Sequence, residues 1–75
     1  MFFRNLSEIN IGEKVTICDI KTEETLKRRL LDLGFIKGNE VGCVGRSALG
    51  DPRSYEIDGS VIAIRKMDAK NIVVR

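Results

Sequence analysis

The sequence EVGCVGRS, residues 40–47, predicts a β-strand that bends sharply. Its two valines favour an extended strand, whereas glycines inside a strand are typical of a bulge, a bend or a close approach of another backbone. Here the glycines stand at Gly42 and Gly45, close to the middle of the predicted strand. Small β-barrels require such bending of their strands, so this stretch predicts a curved sheet.

Alternating apolar and polar residues predict further strands on both sides of this one. In one of them Tyr55 and Ile57 share a face, and the pair Asp58-Gly59 that follows is a strong signal for a tight hairpin. Residues 67–70 suit a single helical turn. The further strands are predicted at residues 13–20, 53–58, 60–66 and 72–74.

A helix is predicted at about residues 23–33, between the first two strands. Thr22 is the expected N-cap, and Gly34 follows the helix at the position where glycine most often ends one. Leu31 lies roughly 100° or more around the helix from the apolar stripe, so it is expected at the edge of the buried face or against a partner. The stripe consists of Leu26, Leu30 and Leu33.

Together these elements predict a mainly β fold. About five short, bent strands with one inserted helix fit a small, partly open barrel of the SH3-like kind. The 75 residues allow one domain, so we expect a single domain over residues 1–75 with its core at about residues 6–74.

The composition excludes several classes of protein. With 43% apolar and 32% charged residues, the chain has the balance of a folded soluble protein. It has no histidine and no glycine-rich phosphate motif, so we expect no enzyme. The net charge of +2 is spread over interspersed signs, without the basic stripe that nucleic acid requires, so no nucleic-acid partner is expected. No membrane span and no signal peptide is recognisable, which predicts a cytoplasmic protein.

The two cysteines, Cys18 and Cys43, lie 25 residues apart without a CxxC pair. Structural zinc is usually held by four cysteine or histidine ligands, so a zinc knuckle is excluded. Two small thiols lying in strands are the favoured interpretation, and a two-cysteine metal site or a disulfide are the alternatives.

The stretch Leu49-Gly50-Asp51-Pro52 reads as a site or as a corner. As a site it lacks a second ligand-rich segment. As a corner, Gly50 allows a positive φ, Asp51 bonds to nearby backbone, and Pro52 opens the next strand. Leu49 is then an apolar side chain carried on a loop, where it contacts either the end of the barrel or a partner.

Several motifs together resemble the ferrous iron transport protein A (FeoA) family. The order and spacing of these motifs agree with that family from about residue 6 to residue 74. The chain departs from it at Phe2 and Phe3, which extend before the usual start. The matching motifs are RLLDLGF at residues 29–35, Gly38, Val41, LGDP at residues 49–52, IAIRK at residues 62–66, and Ala69.

The resemblance implies an SH3-like barrel that is cytoplasmic and not an enzyme. It also implies work beside a large membrane GTPase-permease that imports Fe²⁺, with recruitment to the inner face of the membrane. The family is described as binding transition metals. The same barrel forms the C-terminal domain of iron- and manganese-responsive repressors, so a related regulatory module, or a small-barrel nucleic-acid binder, is an alternative.

The expected function is therefore that of an adaptor. Its candidate partner contacts are apolar or basic residues that are expected at the rim of the barrel: Leu31, Phe35, Leu49, Tyr55 and Arg65. Fe²⁺ is usually held by imidazole and carboxylate, so a chain without histidine predicts at most weak binding of Fe²⁺ or another divalent transition metal, and no required cofactor. The weak metal candidates are Asp51, Glu56, Asp58, Cys18 and Cys43.

Overall fold

The computed structural model describes residues 3–75, which form six strands, two α-helices and one 3₁₀ turn. The strands are β1 (Arg4–Asn5), β2 (Lys14–Ile20), β3 (Glu40–Arg46), β4 (Arg53–Ile57), β5 (Ser60–Ile64) and β6 (Ile72–Val74). The helices are α1 (Glu24–Asp32) and α2 (Lys66–Ala69), and the 3₁₀ turn covers Leu6–Glu8.

All six strands belong to one antiparallel sheet in the order β1-β6-β2-β3-β4-β5. Strand β2 pairs with β3 through its first residues and with β6 through its last, so it passes from one half of the barrel to the other. The register between β2 and β6 shifts at Cys18, which is consistent with a bulge at that turning point.

The predicted bend in β3 is confirmed. Pairing with β4 passes from Cys43 opposite Tyr55 to Gly45 opposite Ser54, which leaves Val44 as an extra residue on β3. An extra residue in one strand bends that strand and increases its twist. The curved sheet therefore wraps around a buried core that consists of Leu6, Ile9, Val15, Ile17, Ile20, Leu30, Phe35, Val41, Cys43, Tyr55, Ile57, Ile64, Ala69, Ile72 and Val74.

The structure has one strand more than the about five predicted, because β1 at the N-terminal end was missed. Two residues are too few to show alternation, yet β1 pairs with β6. The 3₁₀ turn after it has a capping box: the side chain of Asn5 accepts from the backbone of Ser7, and Glu8 accepts from the amide of Asn5 at 2.7 Å. Asn followed three residues later by Glu is a pattern that can be recognised in the sequence as the start of a capped helical turn.

The N-terminal segment is fastened to the far side of the sheet by two side chains of β4. The hydroxyl of Tyr55 donates to the carbonyl of Leu6 at 3.4 Å, and the guanidinium of Arg53 donates to the carbonyl of Ile9. Arg4 pairs with Glu13 through both of its terminal nitrogens. The N-terminal segment thus contacts β6 through the pairing of β1 and β4 through these side chains.

Helix α1 begins and ends close to the predicted bounds, with two differences. Glu23 rather than Thr22 is the N-cap, and it makes no side-chain cap bond. Leu33 is 45% exposed, because the helix ends at Asp32 and Leu33 is already the C-cap. Gly34 follows with φ +107°, as expected for a glycine that ends a helix.

Candidate partner-binding surfaces

Three of the five predicted partner contacts are exposed and two are not. Leu49 is 95% exposed at the tip of the β3–β4 loop, Leu31 is 40% exposed on α1, and Arg65 is exposed between β5 and α2. The expected rim position of Phe35 and Tyr55 is wrong, because both side chains are fully buried. Tyr55 shares the inner face of β4 with Ile57, and Phe35 closes the core below the end of α1.

The LGDP loop is a corner held by its own hydrogen bonds. The amide of Gly50 donates to the carbonyl of Ser47 at 2.9 Å, and the hydroxyl of Ser47 donates to the carbonyl of Asp51 at 2.7 Å. The carboxylate of Asp51 accepts from the amide of Lys66 at 2.8 Å, at the start of α2. The peptide bond between Asp51 and Pro52 is cis. Asp51 therefore fastens two segments of the fold together, while Leu49 projects from the corner into solvent.

The weak metal candidates are not gathered into a cluster. Within residues 3–75, no group of three or more His, Cys, Asp or Glu side chains is placed to hold a metal ion. Cys18 and Cys43 are free thiols, with Cys43 buried in the core and Cys18 half-buried at the β2 bulge. Asp51 is bound to the amide of Lys66, and Asp58 lies in the β4–β5 turn. The described residues therefore do not fit a resident metal ion.

A groove of about 540 Å³ opens beside the bulge of β2. Its wall includes Phe3, which is 59% exposed, together with Cys18 and Lys37. Phe2, the other residue of the N-terminal departure, lies outside the described residues. A second depression shares Cys18 and Lys37 and extends to Leu31 and Lys27 on α1. This surface combines apolar side chains with lysines.

A separate cleft of about 230 Å³ lies between α1 and β5. We call it the α1–β5 cleft. Its apolar lining comes from Leu26, Leu30 and Leu33 of α1 and its C-cap, and from β5, while its charged residues are Arg29, Arg65 and Asp68. The carboxylate of Asp68 is 3.1 Å from the guanidinium of Arg65, so that pair is already formed. The β5 residues that line the cleft are Ile62, Ala63 and Ile64.

The turn between β4 and β5 is docked against the end of α1. The side-chain amide of Asn39 donates to the carbonyl of Gly34 at 2.8 Å and to the carboxylate of Asp58 at 3.3 Å. A Cβ atom on Gly34 would meet Oδ2 of Asp58 at 2.6 Å, so a larger residue here would displace the Asp58 side chain, and the φ of +107° favours glycine as well. This contact and the bond from Lys66 to Asp51 hold the two ends of β5 in place.

Three side chains around the N-terminal segment, those of Arg4, Glu13 and Tyr55, have pKa values that the fold shifts. Burial raises the pKa of Tyr55, and its hydrogen bond with Arg53 acts in the opposite direction. The hydrogen bond from Arg4 lowers the pKa of the Glu13 carboxyl, helped by the amide of Asn10, and the same pair raises the pKa of Arg4. None of these groups lies in the α1–β5 cleft or in the groove beside Cys18.

The fold defines a class of protein, the small SH3-like β-barrel with a helix between its first long strands. None of the helices within residues 3–75 is long and apolar enough to cross a membrane. The chain belongs to the FeoA domain family, whose family model matches residues 4–75.

Named relatives agree with this assignment. The chain is 33% identical over 69 residues to a Campylobacter jejuni protein named for Fe²⁺ transport protein A, covering 92% of the chain and 93% of the relative. It is 30% identical over 69 residues to a Porphyromonas gingivalis Fe²⁺ transport protein A/Fe²⁺ transporter FeoB fusion protein. There the match covers 92% of the chain but only 8% of that relative.

Solved structures give the same fold. The zinc complex of Stenotrophomonas maltophilia FeoA, described as a prokaryotic SH3 domain protein, is 29% identical with a TM-score of 0.84, covering 95% of this chain and 88% of that one. A manganese-dependent transcriptional repressor superposes with a TM-score of 0.84 at 19% identity, covering 96% of this chain and 40% of that one. That second likeness shows the fold alone.

Proposed function

We propose that this chain is a small cytoplasmic accessory protein of ferrous iron uptake that binds and regulates a membrane Fe²⁺ permease with a GTPase portion. It carries out no catalysis of its own and folds as a single domain. Its exposed apolar and basic residues serve as contacts, with Leu31, Leu49 and Arg65 as the candidates that the fold leaves accessible.

One observation carries this proposal. In the Porphyromonas gingivalis relative, a segment similar to this chain is joined to the FeoB transporter in one polypeptide. Fusion keeps two modules at high effective concentration, which is useful when the modules bind each other. Two modules that bind each other do so through surface contacts, and this chain exposes large apolar side chains that are suited to such contacts.

Metal binding has a minor place in the proposal. The Stenotrophomonas maltophilia relative was solved with zinc, but residues 3–75 of this chain contain no group of three ligating side chains. We propose that single carboxylates such as Glu56 and Asp58 bind Fe²⁺ or another divalent ion weakly at the surface. Fe²⁺ is then the cargo of the partner rather than a cofactor of this chain.

The experiment that tests the proposal is a titration of the ¹⁵N-labelled chain with the cytoplasmic portion of the Fe²⁺ permease from the same organism. We expect saturable changes in the amide shifts, and with Fe²⁺ alone no saturable binding below about micromolar concentration. The variant Leu49→Ser should fold with unchanged stability and bind more weakly, because Leu49 is 95% exposed. Absence of any shift change with the permease portion, or tight one-to-one Fe²⁺ binding, contradicts the proposal.

A further inference from the structure

Strand β5 is one of the two edges of the sheet, and it has no charge, proline or bulge to protect it. It pairs with β4 on one side and with no other strand among the described residues. Natural edge strands carry charges, proline, bulges or a covering element that prevents pairing with another chain. The five residues of β5, Ser-Val-Ile-Ala-Ile, contain no charge and no proline, and Val61 is 62% exposed. Such an edge is suited to accept a further strand.

The geometry of the hairpin identifies the backbone groups that are free. Asp58 and Gly59 form its two-residue loop with φ +49° and +80°, as in a type I′ turn. In such a hairpin the flanking residues, Ile57 and Ser60, form a hydrogen-bonded pair, and bonded and non-bonded pairs then alternate along the ladder. Ser60, Ile62 and Ile64 therefore bond to β4, while the amides and carbonyls of Val61 and Ala63 point away from it.

The free edge of β5 borders the α1–β5 cleft. Ile62, Ala63 and Ile64 are consecutive, and consecutive strand residues point to opposite faces of a sheet. Because all three line the cleft, the cleft reaches the edge of the strand and not only one of its faces. Opposite them, the half-buried Leu26 and the 45% exposed Leu33 supply apolar surface. A strand laid along β5 would cover this surface with every second side chain.

The charges of the cleft indicate what kind of strand would bind. Asp68 is already paired with Arg65. Arg29 is exposed, and its side chain has no hydrogen bond or ion pair with any residue in 3–75. A second copy of this chain would bring the arginines of its own cleft and no unpaired carboxylate from that cleft. A foreign segment with an acidic side chain, in contrast, complements Arg29.

We propose that the α1–β5 cleft binds an extended segment of the permease that alternates apolar residues with at least one Asp or Glu. This segment adds to the sheet as a seventh strand beside β5, its backbone bonded to Val61 and Ala63 and its carboxylate placed at Arg29. The inference rests on the proposed function, because it takes the permease as the partner and names the surface and the mode of contact.

The first test compares two substitutions at one position, using the cytoplasmic portion of the permease as the probe. Ala63→Pro removes the outward amide without removing a ladder bond to β4, whereas Ala63→Ser keeps that amide. We expect Ala63→Pro to weaken binding tenfold or more and Ala63→Ser to stay within about twofold of wild type. Hydrogen exchange at Val61 and Ala63 should slow when the probe binds.

The second test keeps the proposal falsifiable where Ala63→Pro does not fold. Arg29→Glu reverses the free charge of the cleft, and Arg28→Glu makes the same change on an exposed residue of α1 that does not line it. We expect about tenfold weaker binding for Arg29→Glu, and less than about twofold weaker binding for the matched Arg28→Glu control.

The outcomes separate the two proposals. Binding of the permease portion that is unaffected by Ala63→Pro and Arg29→Glu overturns the strand addition and leaves the proposed function intact. No binding by the wild-type chain overturns both. A wild-type dimer in sedimentation that Ala63→Pro converts to a monomer assigns the edge to a second copy and overturns the foreign strand.

Discussion

The two edges of the sheet are built in opposite ways. At one edge, β1 has only two residues, Arg4 is held in an ion pair with Glu13, and the segment that follows is fastened by Tyr55 and Arg53. At the other edge, β5 is uncharged, and the amides and carbonyls of Val61 and Ala63 point away from β4. The first edge follows the usual rules for preventing further pairing, and the second does not.

This difference shows that an open edge need not be a mobile one. The turn before β5 is bonded to Asn39, and the residue that begins α2 is bonded to Asp51. Both ends of β5 are thus held while its outer side is free. Because the strand is already fixed, it loses little further conformational entropy when a partner binds. Such a surface is preorganised for binding.

The largest expected effect comes from truncating one apolar side chain at each of the two edges to alanine. Leu6 is fully buried beside the closed edge and Val61 is 62% exposed on the open one. Leu6→Ala should lower the free energy of unfolding by about 2 to 5 kcal/mol. Val61→Ala should change it by less than about 0.5 kcal/mol. Urea unfolding followed by circular dichroism measures both, and equal effects would contradict the distinction between the edges.

A smaller effect is expected from tightening the contact that holds the turn before β5. Gly34→Ala places a Cβ atom 2.6 Å from Oδ2 of Asp58, while Gly38→Ala meets nothing within 4 Å. Both glycines have a positive φ, at +107° and +95°, so both variants share a conformational cost of about 1 to 2 kcal/mol. Gly34→Ala should therefore lower the free energy of unfolding more than Gly38→Ala does. Combining Gly34→Ala with Asp58→Ala should reduce this additional loss. Identical losses would contradict a cost from the contact between this position and Asp58.

The smallest expected effect concerns the tyrosine that fastens the closed edge. Tyr55→Phe removes the bond to the carbonyl of Leu6, which at neutral pH should cost about 0.5 to 1.5 kcal/mol. Because burial raises the pKa of Tyr55 above its ordinary value of about 10, the unfolded chain releases this proton first as the pH rises. Wild-type stability should therefore fall above about pH 10 relative to the variant.

Unfolding midpoints of the wild type and Tyr55→Phe, taken at neutral pH and in steps above about pH 10, check this prediction. The variant is also the control for the lysines, which titrate in the same range in both proteins. A difference between the two proteins that stays constant with pH would contradict a raised pKa of Tyr55.

Local patterns in the sequence were sufficient to predict most of the strands and helices. The glycines of β3 predicted its bend, Asp58-Gly59 predicted the hairpin, and the leucine spacing predicted α1 within a residue at each end. These features depend on neighbours in the chain. Strand β1 was missed because its two residues show no period, although Asn5 and Glu8 carried a capping signal.

The candidate surface was predictable only in part. Leu31, Leu49 and Arg65 are exposed as expected, because loop tips and helix edges can be recognised locally. Tyr55 is buried although a position at the rim is expected, and its shared face with Ile57 is the pattern that indicates burial. The α1–β5 cleft was missed entirely, because an edge strand is defined by the order of strands in space, which the chain order does not state.

The bonds that fasten the N-terminal segment also bear on the order of folding. Tyr55 and Leu6 are 49 residues apart, and Arg53 and Ile9 are 44 apart, whereas β4 and β5 are joined by a two-residue turn. Contacts between distant residues form slowly, because closing a long loop costs entropy before any contact is gained. We therefore expect the β4–β5 hairpin to form early and the N-terminal segment to dock last. The strand that accepts a partner would then be in place before the barrel is complete.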